Sequence, residues 1–261
     1  MPRRTSRPAP PRVDATVARE FSRRLRAWFR RHQRNLPWRH TRDPYHILVS
    51  ELMLQQTQVS RVLEYYPRFL ERFPSLHHLA QARPAHVQEA WQGLGYYARA
   101  RNLHKLAQHV TRDAADARLP EHPHELRALP GIGAYTAGAV ASFAYEKRAA
   151  LVDTNVARVL SRAFAPRLDP KRPRDLARIW TIAERVLPAT GKATWVHNQA
   201  VMELGALVCT ARVMRCDQCP VRACCRTGSR GAAASRKPKA ASPRKRSASV
   251  HQQRAAKPDV A

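Results

Sequence analysis

Apolar residues recur along this chain at helical spacing rather than in strict alternation with polar ones. Sustained alternation and hairpin dipeptides such as Asn-Gly are absent, which favours an all-α fold. Between residues 48 and 66 six apolar residues fall on one helical face, and Pro67 is expected to end that helix because proline lacks a backbone N–H. The six are Leu48, Leu52, Val59, Val62, Leu63 and Tyr66. Further helices are predicted at 14–33, 77–82, 85–92, 98–114, 123–128, 134–145, 153–163, 174–187 and 196–207.

Glycines are few and clustered, which marks places where the backbone turns tightly or lies close to something. Five of the nine occur in two groups, Gly93 with Gly95, and Gly131 with Gly133 and Gly138. The second group lies in Leu-Pro-Gly-Ile-Gly-Ala-Tyr-Thr-Ala-Gly, residues 129–138, between two predicted helices. Bare N–H groups at a helix N-terminus form a nest suited to a phosphate. An ordinary helix–helix turn is the alternative.

Basic residues strongly outnumber acidic ones: 47 Lys and Arg stand against 19 Asp and Glu, a net charge of +28. Residues 1–13 (+4) and 226–261 (+9) have little apolar surface to bury and are predicted to be a disordered basic arm and tail. Residues 14–225 keep the remaining +15, which favours nucleic acid over a membrane surface as the partner. The first thirty residues lack the apolar core of a signal peptide, so we expect a cytoplasmic protein, nucleoid-associated in a bacterium.

All five cysteines lie within residues 209–225. Cys209, Cys216, Cys219 and Cys225 have the spacing C-x6-C-x2-C-x5-C, which suits four thiolate ligands of an iron–sulfur cluster or of zinc. Zinc sites more often use two short cysteine pairs, so the spacing favours iron–sulfur and leaves zinc open. Cys224 is an alternative to Cys225 as the fourth ligand.

Two carboxylates are candidates for chemistry. Glu51 lies among apolar residues, which raise the pKa of a carboxyl and suit a general acid near neutrality; the alternative is a first-turn Glu after a Ser50 cap. Asp153 precedes a predicted helix, and by itself the pattern favours a plain N-cap. One protonated and one ionised carboxylate together would suit cleavage of a glycosidic bond.

The motifs occur in an order that resembles the helix-hairpin-helix superfamily of DNA glycosylases over about residues 20–225. They are Leu-Pro-Trp-Arg (36–39), Asp-Pro-Tyr (43–45), Met-Leu-Gln-Gln-Thr-Gln-Val (53–59), Gly-Leu-Gly-Tyr-Tyr-Ala-Arg-Ala-Arg-Asn-Leu (93–103), the hairpin and the cysteine quartet. Within the superfamily the chain is most similar to the adenine DNA glycosylases of the MutY family. The resemblance implies a six-helix barrel over 35–150. It also implies a [4Fe–4S] cluster domain formed by the helix at 14–34 together with 151–225, and a cleft between the two domains.

The resemblance also implies an activity and residue roles. The family flips adenine mispaired with 8-oxoguanine or guanine out of double-stranded DNA and cuts its N-glycosidic bond. Glu51 matches the acid that protonates the adenine ring, Asp153 the carboxylate that stabilises the cationic sugar, and Tyr135 and Asn155 their supporting groups. The expected DNA- and base-binding residues are Trp38, Arg39, Leu54, Gln55, Gln56, Thr57, the wedge residues Tyr96 and Tyr97, and the hairpin glycines Gly131 and Gly133.

Tyr135 predicts a monofunctional enzyme that leaves an abasic site. Relatives similar to endonuclease III carry a catalytic Lys at this position, which attacks the sugar and cleaves the strand, whereas tyrosine has no amine. Two departures from the family stand out: only the low-complexity tail follows Cys225, where an 8-oxoguanine-reading domain is usual, and Thr154 replaces a common glycine. A monomer is expected. A T:G or U:G mismatch glycosylase and a non-catalytic lesion-binding protein stay open as alternatives.

Overall fold

The computed structural model describes residues 12–112 and 117–229. Over this part of the chain the fold is helical, with no β-strand and one isolated antiparallel bridge between Cys209 and Met214, so the all-α prediction is confirmed there. The helices are α1 (Ala15–His32), α2 (Pro44–Leu54), α3 (Val59–Arg72), α4 (Leu76–Gln81), α5 (Pro84–Ala90), α6 (Ala98–Thr111), α7 (Pro123–Leu126), α8 (Ala134–Phe143), α9 (Thr154–Phe164), α10 (Pro173–Val186) and α11 (Gly191–Leu207), with short 3-10 turns at Pro37–Arg39 and Arg222–Cys224.

α1 shows how the apolar pattern becomes packing. The Asp14 side chain accepts hydrogen bonds from the N–H groups of Thr16 and Val17, which caps the helix. Its buried face, which includes Phe21, Leu25 and Phe29, packs against α10 and α11. Burial of each such side chain contributes about 1.5–3 kcal/mol. α9 packs against the same two helices. The division of the chain into a barrel and a cluster domain stays a prediction.

α2 and α8 pack against each other and are buried on almost every side. α2 begins with the Asp43 cap followed by Pro44, whose fixed φ suits the first helical position. α8 follows Gly133 and is buried from Thr136 to Phe143. The packing of these two helices therefore fixes the positions of the polar side chains that they carry inside the protein.

The single helix predicted over 48–66 is wrong: this segment contains the end of α2 and the start of α3. Gln56 between them has a φ of 57°, a left-handed conformation in which a right-handed helix cannot continue. Pro67 does not end the helix either, because it lies inside α3. Pro67 and Leu63 both lie on the exposed side of α3, where water can hydrate the carbonyl group that the proline leaves unbonded.

The predicted basic arm and tail fall mostly on residues 1–11 and 230–261, outside the described residues. Residues 226–229, which were predicted to be disordered, instead form a helical turn. The Thr227 hydroxyl anchors this turn by donating to the carbonyl oxygen of Arg162 at 2.7 Å. None of the helices described combines the length and apolar character needed to cross a membrane.

Candidate active site

A cleft of about 760 Å³ opens between the end of α2, the hairpin before α8, the start of α9 and α11. Its size is that of a pocket for a small organic ligand. All four predicted catalytic residues line it, as do eight of the ten predicted binding residues. Tyr96 and Tyr97 do not line it and instead are exposed, by 62% and 42%. The lining residues that the sequence predicted are Trp38, Arg39, Glu51, Leu54, Gln55, Gln56, Thr57, Gly131, Gly133, Tyr135, Asp153 and Asn155.

Glu51 lies in the third turn of α2, where it is 3% exposed. Its Oε2 atom accepts a hydrogen bond of 2.6 Å from the hydroxyl of Tyr135, in the first turn of α8. The interpretation of Glu51 as a first-turn residue after a Ser50 cap is wrong, because α2 begins at Pro44 and the Ser50 hydroxyl donates to the Ile47 carbonyl at 2.8 Å.

Burial raises the pKa of Glu51 to about 7. The nearby Asp153 raises this pKa as well, while the hydrogen bond from Tyr135 and the charge of Arg39 oppose the increase. Burial also holds the pKa of Tyr135 well above its ordinary value, so Tyr135 remains a hydroxyl donor. A carboxyl group with a pKa near 7 is part protonated at neutral pH and is able to donate a proton.

Asp153 is the N-cap of α9, as its sequence context indicates, and it also faces the cleft. Its Oδ1 accepts from the Val156 N–H at 2.6 Å, and its Oδ2 accepts from Asn155 Nδ2 at 3.1 Å. Burial raises the pKa of Asp153, while these hydrogen bonds and the positive charge of Arg158 favour the ionised form. The neighbouring Thr154 does not have a positive φ, so its backbone does not require glycine.

A third carboxylate in the cleft, Glu203 on α11, was missed by the sequence analysis. It accepts hydrogen bonds from Arg39 Nη2 at 2.9 Å and Arg34 Nη2 at 2.7 Å, and Arg39 Nε donates to Gln199 at 3.1 Å. Burial alone would raise the pKa of Glu203, but the two arginines outweigh it and hold the pKa at about 2. The available signal was a single acid within the apolar run Ala-Val-Met-Glu-Leu-Gly-Ala-Leu.

The hairpin borders the cleft on another side. Gly131 has a φ of 77°, and a Cβ atom there would lie 2.6 Å from the Cβ of Asn102, so the position requires glycine on both grounds. Gly133 is the N-cap of α8 and has open space around it. The backbone of this helix N-terminus, at Gly133 and Ala134, lines the cleft.

Comparison with known proteins decides the family. The profile of the HhH-GPD superfamily of base excision DNA repair proteins matches residues 49–183, a little more than half of the chain. The chain belongs to this superfamily.

Two relatives of this chain are named adenine DNA glycosylases. The chain is 46% identical over 204 residues to an adenine DNA glycosylase of Mycobacterium tuberculosis, a match that covers 77% of this chain and 65% of that protein. It is 39% identical over 226 residues to the human adenine DNA glycosylase, covering 83% of this chain and 41% of the relative. The chain thus spans between two fifths and two thirds of the length of these two relatives.

A solved structure also resembles the chain. The structure of a thermostable thymine-DNA glycosylase superposes with a TM-score of 0.74 at 29% identity, covering 83% of this chain and all of that one. The similarity confirms the all-helical HhH-GPD fold over this part of the chain.

Four of the five cysteines of this HhH-GPD protein line one pocket: Cys209, Cys216, Cys219 and Cys225. Cys224 is not part of that pocket and lines a second one beside Asp14 and Phe164, which Cys225 also borders. Two donors point at sulfur atoms of the first pocket: Arg162 Nη1 lies 3.3 Å from Cys209 Sγ, and the Gly228 N–H lies 3.3 Å from Cys225 Sγ. Within the described residues no three His, Cys, Asp or Glu side chains are grouped closely enough to hold a single metal ion.

Proposed function

We propose that this protein is a base-excision DNA glycosylase that flips out adenine mispaired with 8-oxoguanine or guanine and hydrolyses its N-glycosidic bond. The observation that carries the proposal is the buried Glu51, with a pKa of about 7, in one cleft with the carboxylate of Asp153. The names of the relatives from Mycobacterium tuberculosis and human point to the same base.

The proposed chemistry assigns one task to each acid. Glu51 donates its proton to a ring nitrogen of adenine, and the bond between the base and C1′ of the sugar then breaks with its electron pair going to the base. The positive charge left on the sugar is stabilised by Asp153, whose geometry Asn155 and the Val156 N–H fix. Water adds to C1′ and passes a proton to the Glu51 carboxylate, which completes hydrolysis and restores the acid.

The surroundings of the acids suit a flipped base. Trp38 lines the cleft and packs edge-on against Tyr66, with ring centroids 5.6 Å apart. Arg39 also lines the cleft, where its ion pair with Glu203 at 2.9 Å holds the guanidinium. The N–H groups at Gly131 and Gly133 suit a backbone phosphate, which would position the duplex without reading its sequence.

We propose that the enzyme is monofunctional. The hairpin residue that faces Glu51 is Tyr135, whose hydroxyl is engaged with that carboxylate. The side chain offers no amine that could form a Schiff base with the sugar. The product is therefore an intact strand with an abasic site.

We propose that Cys209, Cys216, Cys219 and Cys225 hold a [4Fe–4S] cluster. The four thiols share one pocket with hydrogen-bond donors directed at two of the sulfurs, as is common around metal-bound thiolates. A four-iron cluster has one iron for each cysteine, so its ligands do not need to converge on a single ion. Its contribution would be structural: it would fix the loop 209–225 against α9, while the acids of the cleft perform the cleavage.

A thymine mismatch glycosylase is the second candidate, favoured by the similarity to the thymine-DNA glycosylase structure. One assay distinguishes the two functions. Purified protein is incubated with A:8-oxoguanine, A:G, T:G and U:G duplexes, and abasic sites are converted to strand breaks with alkali. We expect breaks in the first two duplexes, only after alkali, and no adduct trapped by borohydride. Cleavage of T:G alone would support the second candidate, and efficient trapping would overturn the monofunctional proposal.

A further inference from the structure

Arg99, in the first turn of α6, is a buried arginine at the edge of the cleft. Its Nη1 donates to the carbonyl oxygens of Leu52 at 2.7 Å, Met53 at 2.9 Å and Gln55 at 2.6 Å. Because α2 ends at Leu54, these carbonyls have no partner further along the helix. The guanidinium thus caps the C-terminal end of α2, the helix that carries Glu51.

The same guanidinium holds the turn at residues 93–97. Its Nη2 donates to the carbonyl oxygens of Leu94 at 3.0 Å and Gly95 at 2.9 Å. The hydroxyl of Thr57, on the cleft side, accepts from Nη2 at 3.3 Å and lies 3.4 Å from the Leu94 carbonyl. One side chain therefore joins the lip of the cleft, Gln55–Thr57, to the turn that carries the two exposed tyrosines.

Arg99 also contacts Tyr96 directly. Its guanidinium lies 5.7 Å from the ring centroid of Tyr96 and 5.4 Å from that of Trp91, and its Nε lies 3.4 Å from the Tyr96 carbonyl oxygen. Tyr96 has a φ of 46°, a strained conformation for a large side chain that persists only when its surroundings hold it. Arg99 supplies that support for a ring that is mostly exposed to solvent.

Building on the proposed glycosylase function, we infer that Arg99 is a positioning residue that couples Tyr96 to the lip of the base pocket. A base displaced from the stack by Tyr96 must next pass Gln55–Thr57 to enter the cleft. The spacing between wedge and lip therefore decides whether displacement leads to capture. Lysine keeps the charge but lacks the planar fork that reaches both segments at once, so Arg99→Lys should loosen Tyr96 and the lip together and leave fewer bases displaced and captured.

The test compares Arg99→Lys with Arg101→Lys, an exposed arginine two residues further along α6. Both variants keep the net charge. Single-turnover release of adenine from an A:8-oxoguanine duplex should fall by about 10- to 100-fold for Arg99→Lys, as for a misplaced reacting group, and stay near wild type for Arg101→Lys. The fluorescence of 2-aminopurine at the target position, which reports unstacking, should rise less with Arg99→Lys than with the control.

A double-mutant cycle with Tyr96→Ala identifies the route of the effect. If Arg99 acts through Tyr96, the double variant should be close in rate to the slower single variant. Effects that multiply, or an Arg99→Lys rate equal to that of wild type, would overturn the inference. If Arg99→Lys fails to fold, Thr57→Val takes its place in the cycle, because it removes the hydroxyl that bonds Arg99 Nη2 and the Leu94 carbonyl. Wild-type protein that releases no base would refute the proposed function instead, so the two failures are distinguishable.

Discussion

The hydroxyl of Tyr135 donates a hydrogen bond of 2.6 Å to Oε2 of Glu51 and so joins two helices that are buried on almost every side. This contact favours the carboxylate and thereby limits how far burial raises the pKa of Glu51. The acid is held at a fixed place by the packing of α2 against α8. Its pKa is set first by burial and the Tyr135 hydroxyl, and then by the charges of Asp153 and Arg39.

Tyr135→Phe should move the pH dependence of base release. The variant removes the hydrogen bond that lowers the pKa of Glu51 and leaves the aromatic ring in place, so that pKa should rise above about 7. Because the protonated form is the active one, the alkaline decline of the rate should shift to higher pH. Single-turnover rates across the pH range test this, with Tyr145→Phe as a control remote from Glu51. An unchanged or acid-shifted decline would contradict the assignment.

Glu203→Gln should destabilise the protein. The substitution leaves the buried Arg39 without its carboxylate, and loss of one partner of a buried ion pair costs about 3–5 kcal/mol. Glu184→Gln, at an exposed position on α10, should leave the free energy of unfolding unchanged. Urea denaturation at neutral pH compares the three proteins.

The stability of the wild type should also depend on pH through Glu203. Its pKa in the folded protein, about 2, lies below the ordinary value of 4.5. The folded state therefore binds fewer protons than the unfolded state between these values, and the contribution is present above the ordinary pKa and lost as the pH falls towards 2. Glu203→Gln should lack this part of the acid-induced loss; an equal loss in both proteins would contradict the network.

Gly131→Ala should disturb the hairpin, whereas Gly133→Ala should not disturb its fold. A Cβ at Gly131 meets Asn102 at 2.6 Å and sits at a φ of 77°, while Gly133 has neither problem. A left-handed conformation at a residue other than glycine costs about 1–3 kcal/mol. Thermal unfolding of the two variants should show this difference in stability. Equal stability would mean that the hairpin can relax.

Cys225→Ser should lose iron, and Cys224→Ser should retain it. Cys225 shares a pocket with the other three candidate ligands, and Cys224 does not. Iron and acid-labile sulfide per chain measure the outcome in both variants and in the wild type. Loss of iron from Cys224→Ser alone would make Cys224, rather than Cys225, the fourth ligand. Zinc without sulfide in the wild type would show that the four cysteines bind zinc instead of the proposed cluster.

The sequence predicted those features that depend on neighbours along the chain. The helical spacing of apolar residues predicted the bounds of α1 and α9 to within one residue. Asp153 was predicted as an N-cap because a cap bonds to N–H groups two or three residues ahead. The break between α2 and α3 was missed because apolar spacing carries over Gln56, whose left-handed φ leaves no mark in that pattern.

Contacts between distant residues could not be predicted in this way. Arg39 and Glu203 are separated by 164 positions, and no local pattern pairs an arginine after Trp38 with an acid in α11. Arg99 lies within the motif at residues 93–103, but its bonds to carbonyl oxygens of residues 52–55 form only when α2 and α6 are packed. The placement of the candidate acids in one cleft likewise depends on tertiary packing.

The most direct test of the account is the rate of adenine release from an A:8-oxoguanine duplex by wild type and Glu51→Gln across the pH range. Wild type should be fastest below a pH of about 7 and lose about tenfold per unit above it, because only protonated Glu51 donates. Glu51→Gln, which is similar in shape but cannot donate an acidic proton, should be slower by about 10²- to 10⁴-fold and lack this dependence. A Glu51→Gln variant as fast as wild type, with the same pH profile, would contradict the account.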